Sequence, residues 1–238
     1  IEACSISVTG TAVVNFQSGH DITVRGKITV ATGAKLAMAN NANIYQIEEL
    51  ENTGNVEVNK TISLKRQDYV GWSSPVANQN LLSFSPATLS NRFYQYIPTG
   101  TTTPTAYSSI DPSTNSFSAG NGYLIRAENT MPSTITSWNG KFTGTPYNGR
   151  TNINIINGGT GLGYNLIGNP YPSPLNIQEF IVGNTNTIDG TLYFWTNTNA
   201  PTGGVYTLNN FATRNLTGGT AAVNGSLIPD TYVQTGQG

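Results

Sequence analysis

The sequence predicts an all-β protein, and three observations carry that prediction. Thr, Val, Ile, Tyr and Phe dominate the apolar stretches, and such β-branched and aromatic side chains fit a pleated, half-buried surface. Twelve Pro and 26 Gly are scattered along all 238 residues, breaking the apolar stretches about every 8–12 residues, as short strands joined by turns require. Ala, the best helix former, sits mostly in turn-like company such as Ala31-Thr32-Gly33 and Ala200-Pro201-Thr202.

Taken in order, residues 1–60 form the first unit. Ile22, Val24, Ile28 and Val30 alternate with polar residues, and the pulses continue through Leu36, Met38, Ile44, Tyr45, Ile47, Val56 and Val58. Gly26, Gly33, Asn40-Asn41 and Gly54 mark the corners. Pulses of four or five residues between small corners suit either stacked β-solenoid rungs or a meander of short strands. Residues 61–238 form the second unit, a β-sandwich of jelly-roll type. Its expected strands are Thr61–Leu64, Arg92–Ile97, Gly122–Ala127, Asn152–Ile156, Tyr164–Ile167, Thr191–Thr196 and Gly204–Leu208. Thr- and Asn-rich loops join them, notably Pro98–Pro104 and Asn197–Gly204. Asn176–Ile181 is the one expected helical segment, since Ile177, Phe180 and Ile181 share a face after Pro172-Ser173-Pro174. The sandwich core should include Tyr94, Tyr123, Ile125, Leu166, Ile167, Phe194 and Trp195. Gly236-Gln237-Gly238 echoes Gly120-Asn121-Gly122 and reads as the approach to a further strand, expected beside Gly122–Ala127.

Composition narrows the function. Charged residues are only 10% of the chain and the net charge is −1, so the basic footprint of a nucleic-acid binder is missing. No apolar run approaches the length of a membrane span. Twenty-three aromatics on a nearly neutral chain argue for a packed core and against disorder. Cys4 is the sole cysteine, so no intrachain disulfide forms, and its expected role is a small buried hydrophobe.

Candidate chemistry is sparse. His20 is the only histidine, no Gly-x-Ser-x-Gly elbow occurs, and His/Cys clusters for a transition metal are missing. Glu48, Glu49 and Glu51 sit side by side, whereas glycoside hydrolysis needs acids that converge across a cleft. The sequence therefore reads as a non-enzyme without a cofactor. Asp111 and Asn115 in Asp111-Pro112-Ser113-Thr114-Asn115 are the candidate calcium ligands, although an Asp-Pro turn explains the same residues. Of the three tryptophans, Trp138, between Ser137 and Asn139, is the candidate sugar-stacking ring. Asn169, Pro170, Tyr171 and Pro172 form a rigid corner in which the residue before each proline is held extended. The Asn169–Pro170 bond is open to the cis form. Asn157–Gly163 is glycine-rich but lacks the Lys-Ser/Thr of a phosphate loop, and reads as a hairpin connection.

Several stretches together resemble a module of large surface and secreted proteins of the Bacteroidota, the kind exported by type IX secretion. They are Leu64–Val76 (LKRQDYVGWSSPV), Gly120–Arg126 (GNGYLIR), Phe142–Pro146, Tyr164–Pro174 (YNLIGNPYPSP), Leu192–Trp195 (LYFW) and Gly236-Gln237-Gly238. The resemblance covers residues 40–238, in consistent order. It implies a structural or adhesive, non-catalytic module displayed outside the cell, on the surface or secreted. Its implied partners are the export machinery, with surface glycans or other surface proteins as further candidates. The alternative is a carbohydrate-binding module of a secreted multidomain enzyme.

Overall fold

The computed structural model describes residues 1–98, 106–159, 163–203, 205–229 and 231–238. Residues 99–105, which include all but the first residue of the expected Thr-rich loop, part of the glycine-rich run (160–162), Gly204 and Asp230 lie outside the described residues. The all-β class holds: among the described residues, eighteen strands form several sheets, none closed into a barrel, in a sandwich-like arrangement.

The N-terminal strands stack in parallel as rungs. The first rung comprises β1 (Glu2–Ala3), β2 (Ile6–Val8) and β3 (Val13–Phe16); the second, β4 (Asp21–Val24), β5 (Ile28–Val30) and β6 (Lys35–Met38). The third holds β7 (Asn43–Gln46), a bridge at Thr53 beneath Thr29, and the start of β8 (Val56–Leu64). Partners lie about 22 residues apart, as in Ile6 on Ile28, Val13 on Lys35 and Asp21 on Asn43. Ile22, Val24, Ile28, Val30, Leu36, Met38, Ile44 and Val56 point inward and are buried. Parallel pairing at this spacing is what makes these strands a stack of rungs, since a meander would pair them antiparallel. Gly54 adopts φ +80°, and a Cβ there would run into the Val30 carbonyl, so the corner closes only on glycine.

β8 joins this stack to the sandwich-like part. Its first three residues pair in parallel with β6, while all nine pair antiparallel with β13 (Thr136–Gly144). A second antiparallel sheet has the order β11 (Tyr107–Ser109), β10 (Phe93–Tyr96), β12 (Tyr123–Arg126), β9 (Tyr69–Trp72). Between the sheets, Phe84 of the short helix α1 (Leu81–Phe84) stacks on Phe142 at 4.3 Å and meets Trp72 and Phe117 edge-on. One buried cluster runs without a break from Val8 to Phe142, across residue 60.

Beyond residue 170 lie β14 (Leu175–Asn176), α2 (Ile177–Gly183), β15 (Leu192–Trp195), β16 (Phe211–Arg214), β17 (Gly219–Thr220) and β18 (Tyr232–Val233). The expected helix is α2, with Asn176 accepting from the Glu179 N–H as its N-cap. Ile177 and Ile181 pack with Val233 in a second, smaller core. Asn152–Ile156 is not a strand, because the Asn165 side chain takes both backbone groups of Ile156. Tyr164–Ile167 contributes only a bridge between Ile167 and Asn121. Of the seven expected core residues, Tyr123 and Ile125 are buried, the other five are half-buried, and none is exposed. Cys4 is exposed, contrary to expectation; it turns the corner between β1 and β2, where only its carbonyl is engaged, by Gly26.

Candidate functional site

Four of the six segments that carry the family resemblance converge at one junction. Gly236–Gly238 runs antiparallel to the end of β9: the Ser73 N–H donates to the Gly236 carbonyl and the Gly238 N–H to that of Gly71, each at 3.0 Å. This run lies along β9, and the place expected for a further strand beside Gly122–Ala127 is taken, because β12 already has β10 and β9 on its two edges. From the other side, the Asn169 N–H donates to Gln237, the Gly168 N–H to Gly120 and the Gly122 N–H to Leu166. Gly168 is required by the crowding. A Cβ there would overlap the Ser73 side chain and approach the Gly238 Cα to 2.7 Å.

The Asn169–Pro172 corner supports this junction. Asn169 is fully buried, and its amide donates to the Ser173 and Val233 carbonyls while accepting from the Tyr171 N–H. No peptide bond among the described residues is cis, that before Pro170 included. The Tyr171 hydroxyl donates to the Gly149 carbonyl and accepts from the Thr151 N–H. At the start of β9, the same edge is closed by a side chain: Asn197 accepts from the Tyr69 N–H and donates to its carbonyl, as a neighbouring strand would.

Trp138 and the acidic turn sit apart from this junction and from each other. Trp138 is half-buried, its ring 5.7 Å from Trp72 and 5.6 Å from Phe84, so much of it belongs to the aromatic cluster. The Asp111 carboxylate accepts from the Ser113 N–H and from the hydroxyls of Ser113 and Thr114, and those hydrogen bonds hold it below the usual carboxylate range. Asn115 donates to Asp111's own carbonyl. The carbonyls of Pro112, Ser113 and Asn115 converge instead on the Asn80 amide nitrogen. Among the described residues, no three His, Cys, Asp or Glu side chains group as a metal site. No helix among them is long and apolar enough to cross a membrane.

The structure also opens a cleft of about 270 Å³ where the third rung meets the sandwich-like part. Tyr45 and Glu49 line it from the rung, Tyr147 and Asn148 from the turn after β13, and Tyr171 and Pro172 from the rigid corner. Burial raises the Tyr45 and Tyr147 hydroxyls above their ordinary range, with Asp21 adding to the effect at Tyr45. Sequence reading misses this cleft because Tyr45 lies more than a hundred residues before Tyr147 and Tyr171 in the chain. The only local signal is a tyrosine next to an amide or a proline, in Tyr45-Gln46, Tyr147-Asn148 and Tyr171-Pro172.

Fold and site together define an all-β protein with a parallel rung stack fused to a sandwich-like body, an interlocked glycine junction and a tyrosine-lined cleft. The chain belongs to the family described as a domain of unknown function (DUF8693), which matches residues 1–238. No curated protein and no solved structure matches it.

Proposed function

We propose that the chain is a structural and adhesive module of an exported cell-surface protein, carried out of the cell by type IX secretion and without catalysis of its own. The observation that carries this reading is the convergence of four of the six motif segments. Gly71–Ser73, Gly120–Gly122, Leu166–Asn169 and Gly236–Gly238 spend their backbone groups on one another. Such a junction supports a structural role for the motifs. The composition fits the same reading: Thr, Asn, Gly and Ser make up 106 of the 238 residues and the net charge is −1, so little charge is present to capture charged partners nonspecifically. A second reading, a carbohydrate-binding module of a secreted multidomain enzyme, draws on the tyrosine-lined cleft.

The test is surface exposure in the native host. Protease added to intact cells should remove the module from wild-type cells. In cells whose type IX machinery is disabled, it should be retained inside and protected. Equal exposure in both strains overturns the export route, and protection in both overturns surface display.

A further inference from the structure

We propose that the cleft beside β7 is a binding site for a neutral saccharide of one or two units. The inference deepens the adhesive reading and rests on it only for the setting in which a glycan would be met. Binding in solution and surface exposure in cells can therefore fail independently.

The argument starts from the edge of β7, the last strand of its sheet. The Asn43 and Ile47 N–H groups donate back to His20 and Val24 on the β4 side. Strand alternation therefore turns the backbone groups of Ile44 and Gln46 the other way, toward the cleft. The Ile44 N–H is taken by the Pro172 carbonyl at 2.8 Å. Past the end of the strand, the Asn148 amide takes the carbonyls of Glu48 and Leu50. The Gln46 N–H finds no partner among the described residues, and its side chain is tied inward to Asn52 and Gly26.

This geometry selects among occupants. An added peptide strand needs a run of consecutive free edge groups, and here Pro172 and Asn148 blunt the edge on either side of Gln46. A compact ligand needs only the short window left. Neighbouring sugar hydroxyls each donate and accept, which suits an N–H and a C=O presented side by side. Tyr45, Tyr147 and Tyr171 supply aromatic surface for the C–H faces of a pyranose ring, and the Tyr45 and Tyr147 hydroxyls supply further polar contacts, that of Tyr171 being engaged by Gly149 and Thr151. Glu49 is the one charged side chain among the described lining residues; it accepts from hydroxyls and disfavours an anionic sugar. The volume of about 270 Å³ lies at the small end of ligand sites, matching one or two sugar units.

The test is NMR titration of the intact chain with cellobiose, lactose, mannobiose and diacetylchitobiose. At least one should bind saturably and shift the Gln46, Tyr45 and Asn148 amides. Tyr45→Ala, at a ring 37% exposed and so tolerated by the fold, should weaken that binding at least about tenfold. Trp138→Phe, at a ring outside the cleft, should leave that binding unchanged. The proposal is overturned if none of the sugars saturates, if Tyr45→Ala binds as tightly as the wild type, or if Trp138→Phe abolishes binding. It is equally overturned if an extended Thr-Val repeat peptide shifts the Gln46 amide and the sugars do not.

Discussion

At the scale of single residues, asparagine does much of the work that a strand or turn would do elsewhere. The chain has 29, and several use the amide's paired donor and acceptor to mimic a peptide group. Asn197 on Tyr69 and Asn165 on Ile156 are the plainest cases. Asn169 is the most deeply placed. Asn169→Ala leaves two carbonyls and an N–H buried without their partner, and should cost about 2–4 kcal/mol in denaturant unfolding. Lys60 shows the opposite case. Burial pushes its ammonium below the ordinary lysine range, and no acid pairs with it among the described residues. A lowered lysine gives stability that is present at high pH and lost as pH falls through the folded value, so at neutral pH the charge is a burden. Lys60→Met should therefore raise stability near pH 7, by about 1 kcal/mol or less, with the gain shrinking in alkaline buffer. Asp68 carries a matching signature on the acid side. Burial raises its carboxyl above 3.8 against the opposing hydrogen bond and charge of Lys65. Its contribution is complete below the unfolded value and is lost as pH rises through the raised folded one. Compared with Asp68→Asn, the wild type should lose relative stability across that acidic window, and chemical denaturation at a series of pH values will measure it.

At the scale of elements, β8 decides how the two halves meet. A strand bound in parallel on one edge and antiparallel on the other can end a solenoid and begin a sandwich at once. Its inward residues, Val56 and Val58, are buried, and its outward Glu57 pairs with Lys35 and Lys141 of the flanking strands. Those pairs are partly exposed and contribute little, so burial holds the strand. The helix α2 depends more on its ends. Seven residues are too few to be stable alone, and Asn176 satisfies one of its free N–H groups. Asn176→Ala should cost about 1 kcal/mol, seen as a lowered thermal midpoint with a local loss of hydrogen-exchange protection over Ile177–Gly183.

At the scale of the whole molecule, a single core joins rungs and sheets from Val8 to Phe142. Trp72 and Trp138 sit in its sandwich-like part, while far-UV circular dichroism reports the strands of both parts. The two signals should change together on heating, in one transition; separate midpoints would show that the rung stack melts on its own. Gly168 locks residues 236–238 onto this body. Gly168→Ala should force them apart at a cost of about 1–3 kcal/mol, with hydrogen exchange at Gln237 and Gly238 accelerating before the rest of the fold opens.

The class of the protein and the position of α2 were legible in the sequence alone, because they depend on residue type and short-range periodicity. β-Branched pulses, glycine corners and the Asn-capped Ile177–Ile181 face each act within a few residues of chain. The burial of Tyr123 and Ile125 followed from the same alternation. What tertiary structure decided was every relation between distant segments. The 22-residue register escapes a reading of the pulses because the corners differ in length, as Thr29 over Thr53 and Leu36 beside Val56 illustrate. Cys4 looks buried by residue type, yet its corner faces solvent. Asn152–Ile156 looks like a strand, yet an asparagine side chain has taken its place in the pairing. The cleft had no sequence signal of its own, since Tyr45, Tyr147 and Tyr171 share a wall only after β8 has brought the last rung against the sandwich-like body. Local pattern is written in neighbouring residues, whereas a site is made by long-range packing, and only the folded chain holds that information.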